Sequence, residues 1–416
     1  MQLFKKKPKL SVVIVFFNMR REATRTLHSL TTAYQRDIAI DDYEVIALDS
    51  GSTEALDGDW VESLQKNFKY RFVKSDLPTP CRALNYGAAM ARSNTLVNLI
   101  DGARILSPGI LANMLRAEQA FDTPFTYTIG MHLGRKPQNE TLLEGYDQAV
   151  EDQLLESIPW QTDGYKLFDI SCLASSSKEG FLYPIYESNC FAVSRSPLEE
   201  IGGFDEAFEM PGGGLVNLDV FRKLFLHEST TPVLLTGEAT FHQFHGGVAT
   251  NVPATENMWD KFDDEYERLR GRRFDLIGYP RKPQVLGELN TESRRFFLNY
   301  ELLRGLTDLC KSITDIQWAG YLKADFESLL KPNFLSISRT ASCSHTRKST
   351  CGANSWIKSS TAVRLQSRLP SRTTRRCGLS AKARSIHWTS STTPTRFILE
   401  KILGLTKNPR KYSGDR

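Results

Sequence analysis

Ser11-Val12-Val13-Ile14-Val15-Phe16-Phe17-Asn18 is the stretch on which the fold turns. It is β-branched, apolar and flanked by charge, so Leu10–Phe17 reads as a buried strand. It is too short to span a bilayer. Lys5, Lys6, Lys7 and Lys9 in front of it imitate the start of a secretory leader. Asn18, Arg20, Arg21 and Glu22 then stand where a small-residue cleavage site belongs, which favours the strand.

Outward from this strand the signals alternate. Ala23, Leu27, Leu30 and Tyr34 recur at helical spacing, and Tyr43–Leu48 is a second strand closing on Asp49-Ser50-Gly51-Ser52-Thr53. A helix over Leu56–Gln65, a strand over Tyr70–Lys74 and a small-residue helix over Cys81–Arg92 follow. Thr95–Ile100 is another strand, ending at Asp101-Gly102, and Ser107-Pro108 offers a capping hydroxyl and a first-turn proline for the next helix. The pattern predicts an α/β fold, an open and mostly parallel sheet with helices on both faces. Ligands of such sheets lie beyond the carboxyl ends of the strands, where Asp49 and Asp101 both fall.

Short strands and glycine-rich loops continue to about residue 250. Residues 253–335 are helical and charged, with Phe296, Phe297, Tyr300, Leu303 and Leu306 as an apolar set. The expected organisation is a domain over 1–252, divided into a nucleotide-binding half (1–110) and an acceptor-side half (111–252), then a helical extension (253–335) and a tail (336–416). The tail holds 17 Lys/Arg against 2 Asp/Glu, and its residues 336–395 contain 24 Ser/Thr and no acid. It reads as a disordered basic tail or, the favoured reading, an out-of-frame translation. The other 335 residues hold 36 basic and 46 acidic groups, which argues against a nucleic-acid partner. Seven cysteines without a CxxC pair or regular spacing predict a reducing, cytoplasmic setting, so the sequon-like Asn139-Glu140-Thr141 carries no weight. Peripheral association with the inner face of a membrane, and the oligomeric state, stay open.

The opening strand and the Thr26-Leu27-His28-Ser29-Leu30 helix resemble the start of family 2 glycosyltransferases with the GT-A fold, and other motifs follow in that family's order. Glu44-Val45-Ile46-Ala47-Leu48-Asp49-Ser50-Gly51-Ser52-Thr53 resembles its Asp-Asp-Gly-Ser-Thr turn. Asn85-x-Gly87 resembles a helix found before the metal-binding strand, and Gly202-Gly203-Phe204-Asp205-Glu206 its acceptor-side turn. The resemblance covers roughly residues 10–250. It implies a nucleoside diphosphate sugar as donor, a glycan or other hydroxyl acceptor, and a donor site that includes Asn18, Asp49, Ser50, Asn85, Asp101 and Arg104. Asp49 could instead cap its own turn.

Asp101-Gly102-Ala103 occupies the place of the family's Asp-x-Asp motif, with Ala103 replacing the second carboxylate. One carboxylate makes a poor site for Mg²⁺ or Mn²⁺. His245, in Phe241-His242-Gln243-Phe244-His245-Gly246-Gly247, could complete a metal shell with Asp101, or Arg104 could supply the positive charge directly.

An inverting transfer needs a carboxylate to accept the hydroxyl proton. The family's Glu-Asp pair is absent from Pro211-Gly212-Gly213-Gly214-Leu215-Val216-Asn217-Leu218-Asp219. Asp219 is therefore the favoured base, although it could equally pair with Arg222 or Lys223, and Glu187 is the reserve. Asp205, Gly213 and Gly214 are expected on the acceptor side. Trp160 and Tyr165 could stack on sugars, with core packing the better reading for most such aromatics. The expected activity is sugar transfer with inversion; the alternative is a catalytically impaired nucleotide-sugar-binding protein. A nucleotidyltransferase is disfavoured, since Asn18-Met19-Arg20-Arg21 lacks the glycine-rich loop that class places after its first strand.

Overall fold

The computed structural model describes residues 7–178, 180–181, 185–253, 256–275 and 282–296. The first half of the chain runs β1 (Leu10–Phe16), α1 (Arg20–Ser29), β2 (Tyr43–Ser50), α2 (Gly58–Leu64), β3 (Phe68–Val73), α3 (Cys81–Met90), β4 (Thr95–Leu99), β5 (Arg104–Leu106) and α4 (Ile110–Ala120). Then come β6 (Pro124–Leu133), α5 (Gln138–Thr141), α6 (Gln148–Glu156), β7 (Ser171–Leu173), β8 (Cys190–Ser194) and α7 (Arg195–Glu200). The series ends with α8 (Val216–Leu226), β9 (Thr231–His242), α9 (Trp259–Arg270) and β10 (Gln284–Gly287).

The strands form a single sheet in the order β10-β9-β6-β8-β4-β1-β2-β3, with β5 added to β9 and β7 to β6. Along that path only β8 runs antiparallel to its neighbours. Every residue of β1 is buried, as a central parallel strand covered on both faces must be. Val13 and Val15 enter one apolar cluster, and Val12, Ile14 and Phe16 enter the other. Gly87 explains the small-residue character of α3, because a Cβ there would stand 2.7 Å from Leu48 Cδ1 and push the helix off the sheet.

The sequence departs from the structure at two places. Ser107 does not cap α4; its hydroxyl donates to Glu238 Oε2 at 2.5 Å and accepts the Ala239 amide. The buried Glu238 takes the Gly109 N–H at the helix start instead, and burial pushes its carboxyl up to about 7. The sheet also continues past residue 252, since β10 pairs in parallel with β9, so the described part of 253–335 holds a strand as well as α9. Four residues form β10, too few for a periodicity to show. Phe297, Tyr300, Leu303, Leu306 and all of 336–416 lie outside the described residues. Trp160 is buried edge-on against Tyr34 and His28, a core role.

Candidate active site

The crevice of this sheet lies where strand order reverses, between β1 and β4. Two residues past the end of β1, Asn18 adopts a left-handed φ of 53°. Its Oδ1 accepts from the Thr53 backbone N–H and from Thr53 Oγ1, both at 2.9 Å, while its own N–H donates to Ser52 Oγ. The end of β1 is thereby laced to the turn after β2. Asp49 lies inside that turn. It is fully buried, and its two oxygens accept the amides of Ser52 and Leu56 at 3.0 and 2.9 Å. Sequence reading put Asp49 on the nucleotide or on its own turn; here its oxygens bind the turn amides, with Ser50 buried beside it.

Asp101 is different. It follows β4, its Oδ1 accepts the Ala103 N–H, and its side chain keeps 18% of its surface. His242, the last residue of β9, places Nε2 at 3.2 Å from Asp101 Oδ2, and His245 places Nε2 at 3.9 Å from Oδ1. The two imidazole Nε2 atoms are 3.2 Å apart, and all three ligand atoms lie within 4.8 Å of one another. β5 brings Arg104 into register beside His242, with Nε 3.2 Å from Asp101 Oδ2; among the described residues neither Nε nor Nη1 makes a hydrogen bond. Burial alone would raise the Asp101 carboxyl, but the electrostatics of His245 and Arg104 beside it hold it well below the usual range. Gly102 is required between them: a Cβ there would stand 2.6 Å from the Val15 carbonyl oxygen.

A second layer fixes the histidines. Gln138 Oε1 accepts the Asn251 side-chain N–H at 2.9 Å, so it can only accept from His242 Nδ1, 2.7 Å away. This leaves the His242 Nε2 lone pair aimed at the cluster, as happens when the other ring nitrogen of a metal-binding histidine is held by an acceptor. Burial and the neighbouring Arg104 push this imidazole down to about 4, so it stays neutral and able to ligate. Asn251 Oδ1 gathers the N–H groups of His245, Gly246 and Gly247 at 3.0–3.1 Å, shaping the turn that carries His245. Fully buried Glu151, on α6, accepts the Phe244 N–H at 2.6 Å and is met by Arg21 and Arg25 of α1. Sequence reading paired Asp101 with His245 and missed His242, Gln138, Asn251 and Glu151. The three-residue spacing of His242 and His245 was the available signal for the first; the others come from remote segments.

The remaining expected residues divide. Asp219, the favoured base, is bound by Arg270 through both oxygens (3.1 and 2.7 Å), by Lys223 at 2.9 Å and by Tyr266 at 3.3 Å. Burial would raise its carboxyl, but Arg270 and Lys223 hold it below the usual value, a poor setting for a base. Asp205 joins the same network through Arg270 at 2.8 Å. Asn85 pins the Gly202–Glu206 turn: it accepts the Phe204 N–H and donates to the Phe204 carbonyl and Glu206. Gly213 is buried with φ +83°, and Gly214 turns back so tightly that a Cβ would lie 2.7 Å from Glu265 on α9. These four residues hold loops together.

Glu187, the reserve, lies just before β8. β8 pairs antiparallel with β4, Leu99 opposite Cys190, and the Ile100 N–H donates to the Asn189 carbonyl beyond the strand ends. That pairing brings Asn189 against Ile100, one residue before Asp101 in the chain. Glu187 is half-buried, accepts one hydrogen bond from Asn217 at 3.0 Å and has no ion pair among the described residues.

Residues 11–174 match the family model for glycosyl transferase family 2. Two validoxylamine A glucosyltransferases, from Streptomyces hygroscopicus subsp. jinggangensis (strain 5008) and subsp. limoneus, are each 25% identical over 301 residues. The alignment covers 70% of this chain, 68% of the first protein and 63% of the second. Among solved structures, S. aureus TarS is 14% identical with a TM-score of 0.38, over 57% of this chain and 37% of that one. TarS 1–349 in complex with UDP is 15% identical with the same score, over 56% and 60%. No helix among the described residues is long and apolar enough to cross a membrane.

Proposed function

With residues 11–174 in glycosyl transferase family 2 and the sheet in the GT-A arrangement, we propose that this chain moves a sugar from a nucleoside diphosphate donor to a hydroxyl acceptor with inversion. The observation that carries this reading is the convergence of Asp101, His242 and His245 at the strand-order reversal. The 25% identity to two glucosyltransferases supports a hexosyl donor, glucose first among those to test.

Asn18 and Ser50 form the nucleotide rim in this reading, braced from beneath by Asp49. Asp101, His242 and His245 would hold Mn²⁺ or Mg²⁺, and the two nitrogen ligands suit Mn²⁺ better. Such a cation supplies positive charge to the departing diphosphate. Arg104 keeps Asp101 ionised and adds permanent positive charge of its own. Glu187 is the base: it takes the proton as the acceptor oxygen bonds to the anomeric carbon, while the bond from that carbon to the phosphate oxygen breaks and the nucleoside diphosphate leaves.

A thermal-shift panel of UDP-, GDP-, ADP- and dTDP-glucose, each with Mn²⁺ or EDTA, tests the reading, followed by assay of nucleoside diphosphate release. Stabilisation by at least one donor, with release that EDTA abolishes and Mn²⁺ restores, is expected. No shift with any nucleotide or its sugar defeats it. Tight binding without release establishes the binding-protein alternative, which the ion-paired state of Asp219 favours. Full release in EDTA, lost in Arg104→Ala, assigns the diphosphate charge to Arg104 alone.

A further inference from the structure

The segment that carries Glu187 is held from one direction by a single side chain. Asn217 lies in the first turn of α8 and is 8% exposed. Its Nδ2 donates to Glu187 Oε2 at 3.0 Å and to Asn189 Oδ1 at 3.3 Å, so both amide protons fall on one short stretch just ahead of β8. Its Oδ1 has no hydrogen-bond partner among the described residues. Reversing the amide would set Oδ1 against a carboxylate and a carbonyl, both acceptors, so the chemistry fixes its orientation. The group is buried for what it donates. Two residues on, Asp219 fastens α8 to α9 through Arg270 and to its own last turn through Lys223.

We propose that Asn217 is a positioning residue for Glu187, holding one carboxylate oxygen so that the other faces the acceptor hydroxyl. The proposal rests on the reading of Glu187 as the base. A glutamate has three rotatable side-chain bonds, and a base must be held near its reacting geometry for proton transfer to be efficient. Among the described residues Oε1 accepts no hydrogen bond, and the group that meets the carboxylate from α8 is the neutral amide of Asn217, which also reaches Asn189. An aspartate at 217 would oppose a carboxylate at about the same distance. The neutral amide binds the carboxylate without adding charge, and the Asp219 ion pairs anchor the helix that presents it.

The test uses the full chain, with nucleoside diphosphate release from UDP-, GDP-, ADP- and dTDP-glucose in Mn²⁺ as the kinetic readout. Asn217→Ala should lower kcat about 10-fold with donor KM unchanged, and Asn217→Asp should move the acid limb of kcat/KM to higher pH. Asn217→Ser, a short side chain that can still donate, should recover part of the loss and serves if the alanine variant misfolds. A donor-independent arm uses ¹⁵N-asparagine labelling: the Asn217 side-chain protons should be protected from exchange and lose that protection in Glu187→Gln. Unchanged kcat and pH profile in the variants, or unprotected amide protons in the wild type, overturn the proposal. Full turnover by Glu187→Gln with the protected amide still seen defeats the base assignment instead, and with it the catalytic meaning of the contact.

Discussion

Asp101 and Asp219 are both shielded carboxylates beside an arginine, yet they are finished differently. Around Asp219 the charges close on themselves: Arg270 grips both oxygens, Lys223 adds a second cation, and Tyr266 donates as well. Nothing there awaits a ligand. Around Asp101 one arginine stands behind the carboxylate while two imidazole nitrogens converge on it from β9 and the turn beyond. Gln138 already takes the Nδ1 proton of His242, so a lone pair faces the gap. Three electron-rich atoms brought together this way are stable when a cation joins them. A buried acid with its full set of donors is scaffold, and one that gathers further acceptors marks a site.

Four substitutions press on this contrast. Glu187→Gln should reduce nucleoside diphosphate release by about 10²–10⁴-fold, the usual worth of a general base, with donor affinity kept in thermal shift. A larger loss of release in Asp219→Asn than in Glu187→Gln would break the contrast outright. Asp219→Asn should instead destabilise the fold by about 1.5–3 kcal/mol, the range for hydrogen bonds to charged groups, read by urea titration, with turnover kept. Gln138→Ala, which frees the His242 ring, should weaken Mn²⁺ binding by about 10–100-fold in calorimetry, as loss of the acceptor that orients a ligating histidine does. Unaltered Mn²⁺ affinity would mean that the histidines are not held for a metal. Asp49→Asn should have the smallest effect, about 1 kcal/mol of stability from one weakened turn contact, and no change in nucleotide affinity. Lost affinity there would return Asp49 to the donor site.

Much of the scaffold was legible before the fold. The β-branched runs of β1, β2 and β4, the helical spacing of α1 and the small residues of α3 each carry their own local period or composition, and each formed about where expected. Asp101 was legible too, because a strand followed by Asp-Gly states its position at a carboxyl end. For Asp49 and Asp219 the sequence stops short for a shared reason: it shows that an acid is present, not which groups already bind its oxygens. Ser52 and Leu56 are near Asp49 in the chain, so that outcome was at least open from the turn itself. Arg270 is 51 residues from Asp219, and no local pattern announces it.

The sequence by itself determined the α/β sheet, the strand ends on which Asp49 and Asp101 stand, and the family resemblance, because local hydrophobic pattern and turn chemistry depend on neighbours in the chain. Only the tertiary structure decided which acids are satisfied and which are poised. It brought His242 onto Asp101 by pairing β5 with β9, set Asn217 against Glu187 from a separate helix, and turned Asp219 toward Arg270. Hydrogen bonds and ion pairs act over a few ångströms whatever the sequence separation, so the chemistry of an acid is fixed only when distant segments are folded against it.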